Sequence, residues 1–121
     1  MRTILLAEDN PFIVDIYSTT LRREGYKVNV ALDGESALQK IRDTHPDLLV
    51  LDIKLPKIDG IELLKMIRKD PQIKNTKVLI VSNFNPGDLS ADTSELGVIK
   101  CFLKVEMTPE EMVSVVGEIL K

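Results

Sequence analysis

Four polar side chains follow the apolar runs that read as β-strands in this sequence. They are Asp9, Asp52, Ser82 and Lys104. Two carboxylates, a hydroxyl and an ammonium are the groups that can hold a metal ion and neutralise a phosphoryl group in transfer. The sequence therefore predicts a metal-assisted phosphoryl-transfer site, provided that the fold brings the four strand ends together.

The acidic residues favour a particular class of metal. Glu8 adds a third carboxylate beside Asp9, and three carboxylates in one concavity repel one another unless a cation neutralises them. Oxygen-only ligands suit Mg²⁺ or Mn²⁺ better than zinc. Taken singly, each residue also has an ordinary interpretation. The acidic pair could simply stabilise the N-terminus of a helix. Asp52 could be a turn residue, Ser82 an ordinary loop residue and Lys104 a solvated surface lysine. It is their joint placement that favours a site.

Strand and helix patterns alternate along the chain. The predicted strands are Thr3–Ala7, Val28–Ala31, Leu48–Leu51, Val78–Val81 and Cys101–Leu103. The predicted helices cover Pro11 to Gly25, Glu35–Thr44, Ile61 to Asp70, Leu89–Leu96 (a weak helix) and the stretch from Thr108 through Leu120. This alternation predicts a doubly wound α/β fold with a five-stranded parallel sheet and helices on both faces, for which we expect the flavodoxin-like strand order 2-1-3-4-5. The first and third strands are then neighbours, and Asp9 faces Asp52.

Composition limits the remaining possibilities. The 121 residues predict a single domain, 1–121, and 44% hydrophobic with 29% charged residues is ordinary for a globular protein. A net charge of −3 without a basic stripe argues against direct nucleic-acid binding. The apolar runs are too short for membrane insertion. One Cys and one His leave no disulfide and no plausible structural zinc site. We expect a cytoplasmic protein.

Two stretches carry a family resemblance. Ile4-Leu5-Leu6-Ala7-Glu8-Asp9-Asn10 is similar to the first strand and acidic pair of response-regulator receiver domains. Pro46 through Gly60, with Asp52 at its centre, is similar to their phosphoacceptor region, and Gly97 lies seven residues before Lys104 as in that family. The chain resembles a receiver domain from end to end.

The resemblance implies specific roles. Asp52 would attack a phosphohistidine on a sensor histidine kinase or histidine phosphotransfer protein and form an acyl phosphate. Asp9, Asp52 and the backbone carbonyl of Lys54 would bind Mg²⁺ directly, and Glu8 would act through a metal-bound water. Ser82 and Lys104 would contact the phosphoryl group. The chain would promote its own phosphorylation and dephosphorylation without being a conventional enzyme. Its output would be altered binding of a downstream protein through the helix at Leu89–Leu96, the fifth strand and the last helix.

The chain departs from the family pattern near the predicted switch. Cys101 stands where the family usually has an aromatic switch residue, so Phe84 or Phe102 would have to substitute. Val105 replaces the proline that commonly follows the lysine across a cis peptide. A cis bond before a non-proline residue costs ~2.5–4 kcal/mol, so we predict a trans Lys104–Val105 bond. Asn83 follows Ser82 where a small residue is usual.

Two other classes of function compete with a phosphorylation switch. The first is a receiver-like interaction module that works without phosphorylation, which the residues at 101 and 105 favour. The second is a flavin-binding or phosphatase α/β domain. The loop Glu8–Pro11 repels a phosphate in the absence of a metal, and the adjacent pair Glu8-Asp9 does not match the Asp-x-Asp of haloacid-dehalogenase-like phosphatases. The apolar arc on the last helix is broad enough for core packing and, alternatively, for a partner surface.

Overall fold

The computed structural model describes residues 1–83 and 96–121, with only the backbone of residue 105. Phe84 and the predicted helix Leu89–Leu96, apart from Leu96 itself, lie outside the described residues. The five strands are β1 Thr3–Ala7, β2 Lys27–Ala31, β3 Leu48–Leu51, β4 Val78–Ser82 and β5 Lys100–Leu103. All neighbouring strands are parallel, in the order β2-β1-β3-β4-β5. The predicted fold and strand order are confirmed.

Helices cover both faces of this sheet. They are α1 Pro11–Arg23, α2 Gly34–Thr44, α3 Gly60–Lys69 and α4 Pro109–Leu120. One core lies between the sheet and helices α2 and α3, and includes Ile41 and Leu64. The other lies between the sheet and helices α1 and α4, and includes Leu21 and Val116. Strands β1, β3 and β4 are buried along nearly their whole length, which explains their uniformly apolar sequences.

Each helix begins at a side chain that caps it. Asn10 accepts hydrogen bonds from the first backbone N–H groups of α1, and Asp33, Asp59 and Thr108 cap α2, α3 and α4. Asn10 and Asp59 also end the loops that follow β1 and β3. The caps therefore fix where the chain turns at the carboxyl edge of the sheet, next to the predicted site.

The structure adjusts the predicted boundaries by one residue or so. Ser82 belongs to β4, β5 begins at Lys100, and a short 3₁₀ turn, Lys104–Glu106, follows β5. No cis peptide bond occurs in residues 1–83 and 96–121, so the Lys104–Val105 bond is trans, as predicted. His45 ends α2 in the left-handed conformation and is exposed. No helix in the described part of the chain is long and apolar enough to cross a membrane.

Arg68, in the last turn of α3, joins two loops through its guanidinium group. It donates hydrogen bonds to the carbonyl oxygens of Lys74 at 2.6 Å, Thr76 at 2.7 Å and Leu96 at 2.6 Å. We expect Arg68→Met to lower the free energy of unfolding by about 2 kcal/mol, since three hydrogen bonds from a charged donor are lost and two of them are partly buried. Urea unfolding measures this. Lys69→Met, an exposed neighbour, is the control, and equal midpoints for the two variants would contradict the assignment.

Candidate functional site

A cleft of about 660 Å³ opens at the carboxyl edge of the sheet. Its walls contain Asp9, Asn10, Asp52, Lys54, Leu55, Pro56, Ser82, Asn83 and Lys104. The strand register explains the convergence, because Ala7 lies beside Leu51 and Ser82 beside Leu103. The residues that follow these positions therefore leave the sheet at the same edge. All four residues singled out from the sequence line this one cleft.

Three carboxylates meet beside the cleft, two of them on its wall. Each of Glu8, Asp9 and Asp52 has an oxygen atom within 4.8 Å of an oxygen atom of the other two. Glu8 and Asp52 are buried, at 2% and 5% exposure, while Asp9 is exposed. An oxygen-only set with one face open to water is the environment that Mg²⁺ or Mn²⁺ prefers. The chemistry of these three carboxylates therefore fits the predicted ion.

Lys104 links two of these carboxylates. Its Nζ lies 2.5 Å from Glu8 Oε1 and 3.1 Å from Asp52 Oδ2, and its side chain is only 10% exposed. Burial on its own would lower the pKa of Lys104, but the hydrogen bonds to Glu8 and Asp52 outweigh it and raise the pKa. The ammonium is therefore firmly charged at neutral pH and holds the two buried carboxylates together.

Both carboxylate oxygens of Glu8 have partners. Its second oxygen, Oε2, accepts a hydrogen bond from the backbone N–H of Asn10 at 3.0 Å. Burial raises the pKa of Glu8, and the bonds from Lys104 and Asn10 only partly oppose this rise. Glu8 was predicted from the family resemblance to act through a metal-bound water. That it is also the closest partner of Lys104 was missed, and only its position directly after a buried strand hinted at burial.

The loop after β3 fixes the carboxylate of Asp52. Its Oδ1 accepts from the backbone N–H of Lys54 at 3.4 Å, so both carboxylate oxygens of Asp52 have partners. Gly60 closes this loop by donating to the carbonyl of Ile53 at 2.6 Å. A Cβ at Gly60 would lie 2.6 Å from the carbonyl oxygen of Asp52, so only glycine permits this approach.

The predicted switch residues occupy different faces of the sheet. Ser82 is fully buried at the end of β4 and lines the cleft, and Asn83 beside it is exposed. Cys101 packs against the core under α2 and α3, whereas Phe102 packs against the core under α1 and α4. Phe102 therefore does not share the surroundings of Cys101, and the strand's alternation could have revealed this from the sequence.

Comparison with known proteins identifies the class of protein that this fold and site define. The family model described as response regulator receiver domain matches residues 4–117. The chain belongs to this family, and the resemblance noted from the sequence is confirmed. Receiver domains are signalling domains of two-component systems that bind Mg²⁺ at an acidic pocket.

Individual relatives support the assignment over different lengths. The alkaline phosphatase synthesis transcriptional regulatory protein PhoP of Bacillus subtilis is 47% identical over 68 residues, which are 56% of this chain and 28% of PhoP. The polar-differentiation response regulator DivK of Brucella ovis is 29% identical over 83 residues, 69% of this chain and 68% of DivK. The match thus spans only 26–32% of the length of three transcriptional regulatory proteins, PhoP among them.

Solved structures match over nearly the whole chain. A CheY-like receiver domain protein from Methanospirillum hungatei has a TM-score of 0.89 at 27% identity, covering 99% of this chain and 94% of its own. The chemotaxis response regulator CheY4 of Vibrio cholerae has a TM-score of 0.88 at 26% identity, covering 98% of each chain.

Proposed function

We propose that this receiver domain is a phosphorylation switch in which Asp52 accepts a phosphoryl group from a phosphohistidine. The donor would be a sensor histidine kinase or a histidine phosphotransfer protein. The observation that carries the proposal is the buried Asp52 carboxylate on the wall of the cleft, bonded to Lys104 and close to the carboxylates of Glu8 and Asp9. Residues 1–121 would act as a single, cytoplasmic domain that binds proteins rather than nucleic acid, consistent with the net charge of −3.

The site's own residues account for the transfer chemistry. A carboxylate oxygen of Asp52 would form a bond to phosphorus while the bond from phosphorus to the donor's histidine nitrogen breaks, and that nitrogen keeps the electron pair. Asp9, Asp52 and the Lys54 carbonyl would hold Mg²⁺, with Glu8 acting through water. When bound, the ion would neutralise charge on the phosphoryl oxygens. Since the chain itself is consumed and regenerated, it is not a conventional enzyme.

Lys104 and Ser82 supply a route from the phosphoryl group to the rest of the fold. Lys104 would exchange its contacts with Glu8 and Asp52 for the new phosphoryl oxygens, and the Ser82 hydroxyl would bind the same group. Lys104 is the first residue after β5, so this exchange pulls on β5 and on the turn before α4. The downstream protein would sense the change through β5, α4 and the segment between β4 and β5.

The face around the start of α1 is the proposed docking surface for the phosphodonor protein. Phe12 is 78% exposed and Ile16, one helical turn away, is 44% exposed. Phe12 and Ile16 come two and six positions after Asn10, which lines the cleft together with Asp9. A protein donor must cover the cleft to bring its histidine to Asp52, so it must lie across these side chains.

This docking surface makes a testable prediction. Phe12→Ala/Ile16→Ala should slow transfer from an autophosphorylated histidine kinase about tenfold or more, since apolar anchors at an interface contribute about 1–2 kcal/mol each. Transfer from acetyl phosphate should be unchanged, because a small donor needs no docking surface. Met66→Ala, at 39% exposure on α3, is the control. Equal slowing with both donors would contradict a docking role.

Phosphorylation itself is tested with acetyl phosphate and intact-protein mass spectrometry. The proposal expects one added phosphoryl group in the presence of Mg²⁺ or Mn²⁺ and none after chelation with EDTA. A folded protein that takes up no phosphoryl group under these conditions would overturn it.

The second candidate is an interaction module that does not use phosphate. The small side chain at Cys101 and the trans Lys104–Val105 bond favour it, since both replace parts of the usual switch. Affinity for a captured partner separates the two functions. If the domain is a switch, phosphorylated wild type and Asp52→Ala must bind the partner with different affinities. If it is an interaction module, their affinities must be equal.

A further inference from the structure

Strand β2 forms one edge of the sheet, with β1 on its other side. The backbone of Lys27 donates to Arg2, and Ala31 accepts from Glu8, so residues 27, 29 and 31 are directed towards β1. Val28 and Val30 consequently turn their N–H and C=O groups to the open edge. An edge of this kind is a template on which a strand of another chain can pair.

Two cations occupy this open edge. Arg22, in the last turn of α1, donates to the carbonyl oxygen of Val28 at 2.9 Å, and Lys40 in α2 donates to that of Val30 at 2.5 Å. Helices α1 and α2 lie on opposite faces of the sheet. The two side chains therefore reach the edge from opposite faces of the sheet, and each outward carbonyl of β2 accepts a hydrogen bond from one of them.

We propose that Arg22 and Lys40 close the β2 edge against pairing with a strand from a second copy of this chain. An added strand needs the carbonyls of Val28 and Val30 as acceptors for its own N–H groups. It would have to displace two cations that are already bonded there and then lie beside their charges. This role concerns self-association and does not depend on the proposed phosphorylation function.

The test compares two double variants with the same loss of charge. Arg22→Met/Lys40→Met removes both edge contacts but keeps long apolar side chains over the strand. Arg23→Met/Lys69→Met removes two exposed cations from the last turns of α1 and α3. Sedimentation velocity over a concentration series measures self-association, and hydrogen–deuterium exchange reads the backbone amides of Val28 and Val30.

The edge variant should self-associate at a concentration about tenfold lower than wild type or the control variant, since about 1.4 kcal/mol of regained pairing has that effect. Protection of the Val28 and Val30 amides should rise with concentration in this variant alone. Self-association equal to that of the control would overturn the proposal, and so would association that leaves these two amides unprotected. If the double variant does not unfold cooperatively, Lys40→Met alone, compared with Lys69→Met, is judged by the same two readouts.

Discussion

Lys104→Met is expected to lower the free energy of unfolding of the metal-free protein at pH 7 by about 3 kcal/mol, because it leaves two buried carboxylates without their shared cation. Glu8 and Asp52 both lose their bond to Nζ, and both side chains are almost fully buried. Urea unfolding measures the loss. Lys100→Met, which removes an exposed lysine from β5, should change the free energy by less than about 0.5 kcal/mol.

The pH dependence of this loss has a definite sign. Burial raises the pKa of Glu8, so the folded protein holds a proton on Glu8 more tightly than the unfolded chain does. Stabilisation from that proton is fully present below the unfolded value of 4.5 and disappears as pH rises through the folded pKa. Without Lys104 the Glu8 pKa rises further. The loss of unfolding free energy caused by Lys104→Met should therefore become smaller as pH falls from 7 towards 4.5.

A double variant isolates the carboxylate pair as the cause. Glu8→Gln/Lys104→Met removes one of the two negative charges together with the cation, so it should recover a large part of the stability lost in Lys104→Met at pH 7. Lys104 would act through packing alone if the stability lost in Lys104→Met were the same at every pH, or if adding Glu8→Gln did not reduce that loss.

Gly34→Ala and Gly60→Ala should each lower the free energy of unfolding by about 3 kcal/mol, since an added methyl would overlap the backbone. At Gly34 the Cβ would lie 2.0 Å from the carbonyl oxygen of Ile58, and at Gly60 it would lie 2.6 Å from that of Asp52. Thermal unfolding measures both. At Gly117, within α4, the added Cβ would meet no atom within 4 Å outside its own stretch of helix, among the residues that the structure describes. Gly117→Ala should stabilise by about 0.5–1 kcal/mol because alanine favours a helix.

The two destabilised variants should differ in activity. An added methyl at Gly60 would push on the backbone of Asp52, the proposed phosphoacceptor, so the rate of phosphorylation of Gly60→Ala by acetyl phosphate should fall about tenfold or more at a temperature where it is folded. Gly34→Ala pushes on Ile58, farther along the loop, and should keep a rate close to that of the wild type. Equal rates for both variants would show that the close approach of Gly60 does not position Asp52.

The fold could be predicted from the sequence because the buried strands consist almost entirely of apolar residues. Leu48–Leu51 and Val78–Val81 contain only apolar residues, whereas a strand with one exposed face would alternate apolar and polar residues. The side-chain caps at Asn10 and Thr108 mark where helices begin. The convergence of the site residues could be predicted because parallel strands end at one edge and the flavodoxin-like strand order makes β1 and β3 neighbours.

Contacts between side chains could not be predicted in the same way. Lys104 and Glu8 are 96 positions apart in the printed sequence (104 − 8), and nothing local tells which of three carboxylates the ammonium meets. That choice depends on side-chain rotamers and on where the backbone leaves β5. Arg22 and Lys40 are similar cases, because their acceptors are carbonyls on a neighbouring strand and carry no sequence signature.

The most direct test of the central claim is the site of phosphoryl attachment. The experiment treats three proteins with acetyl phosphate and Mg²⁺ and then examines them by intact and peptide mass spectrometry. They are wild type, Asp52→Ala and the control Asp15→Ala, which lacks an exposed acid of α1. Wild type and Asp15→Ala should each carry one phosphoryl group, labile to hydroxylamine as an acyl phosphate, on the peptide that contains Asp52. Asp52→Ala should carry none. A phosphoryl group on folded Asp52→Ala at the wild-type level would contradict the assignment of Asp52 as the phosphoacceptor.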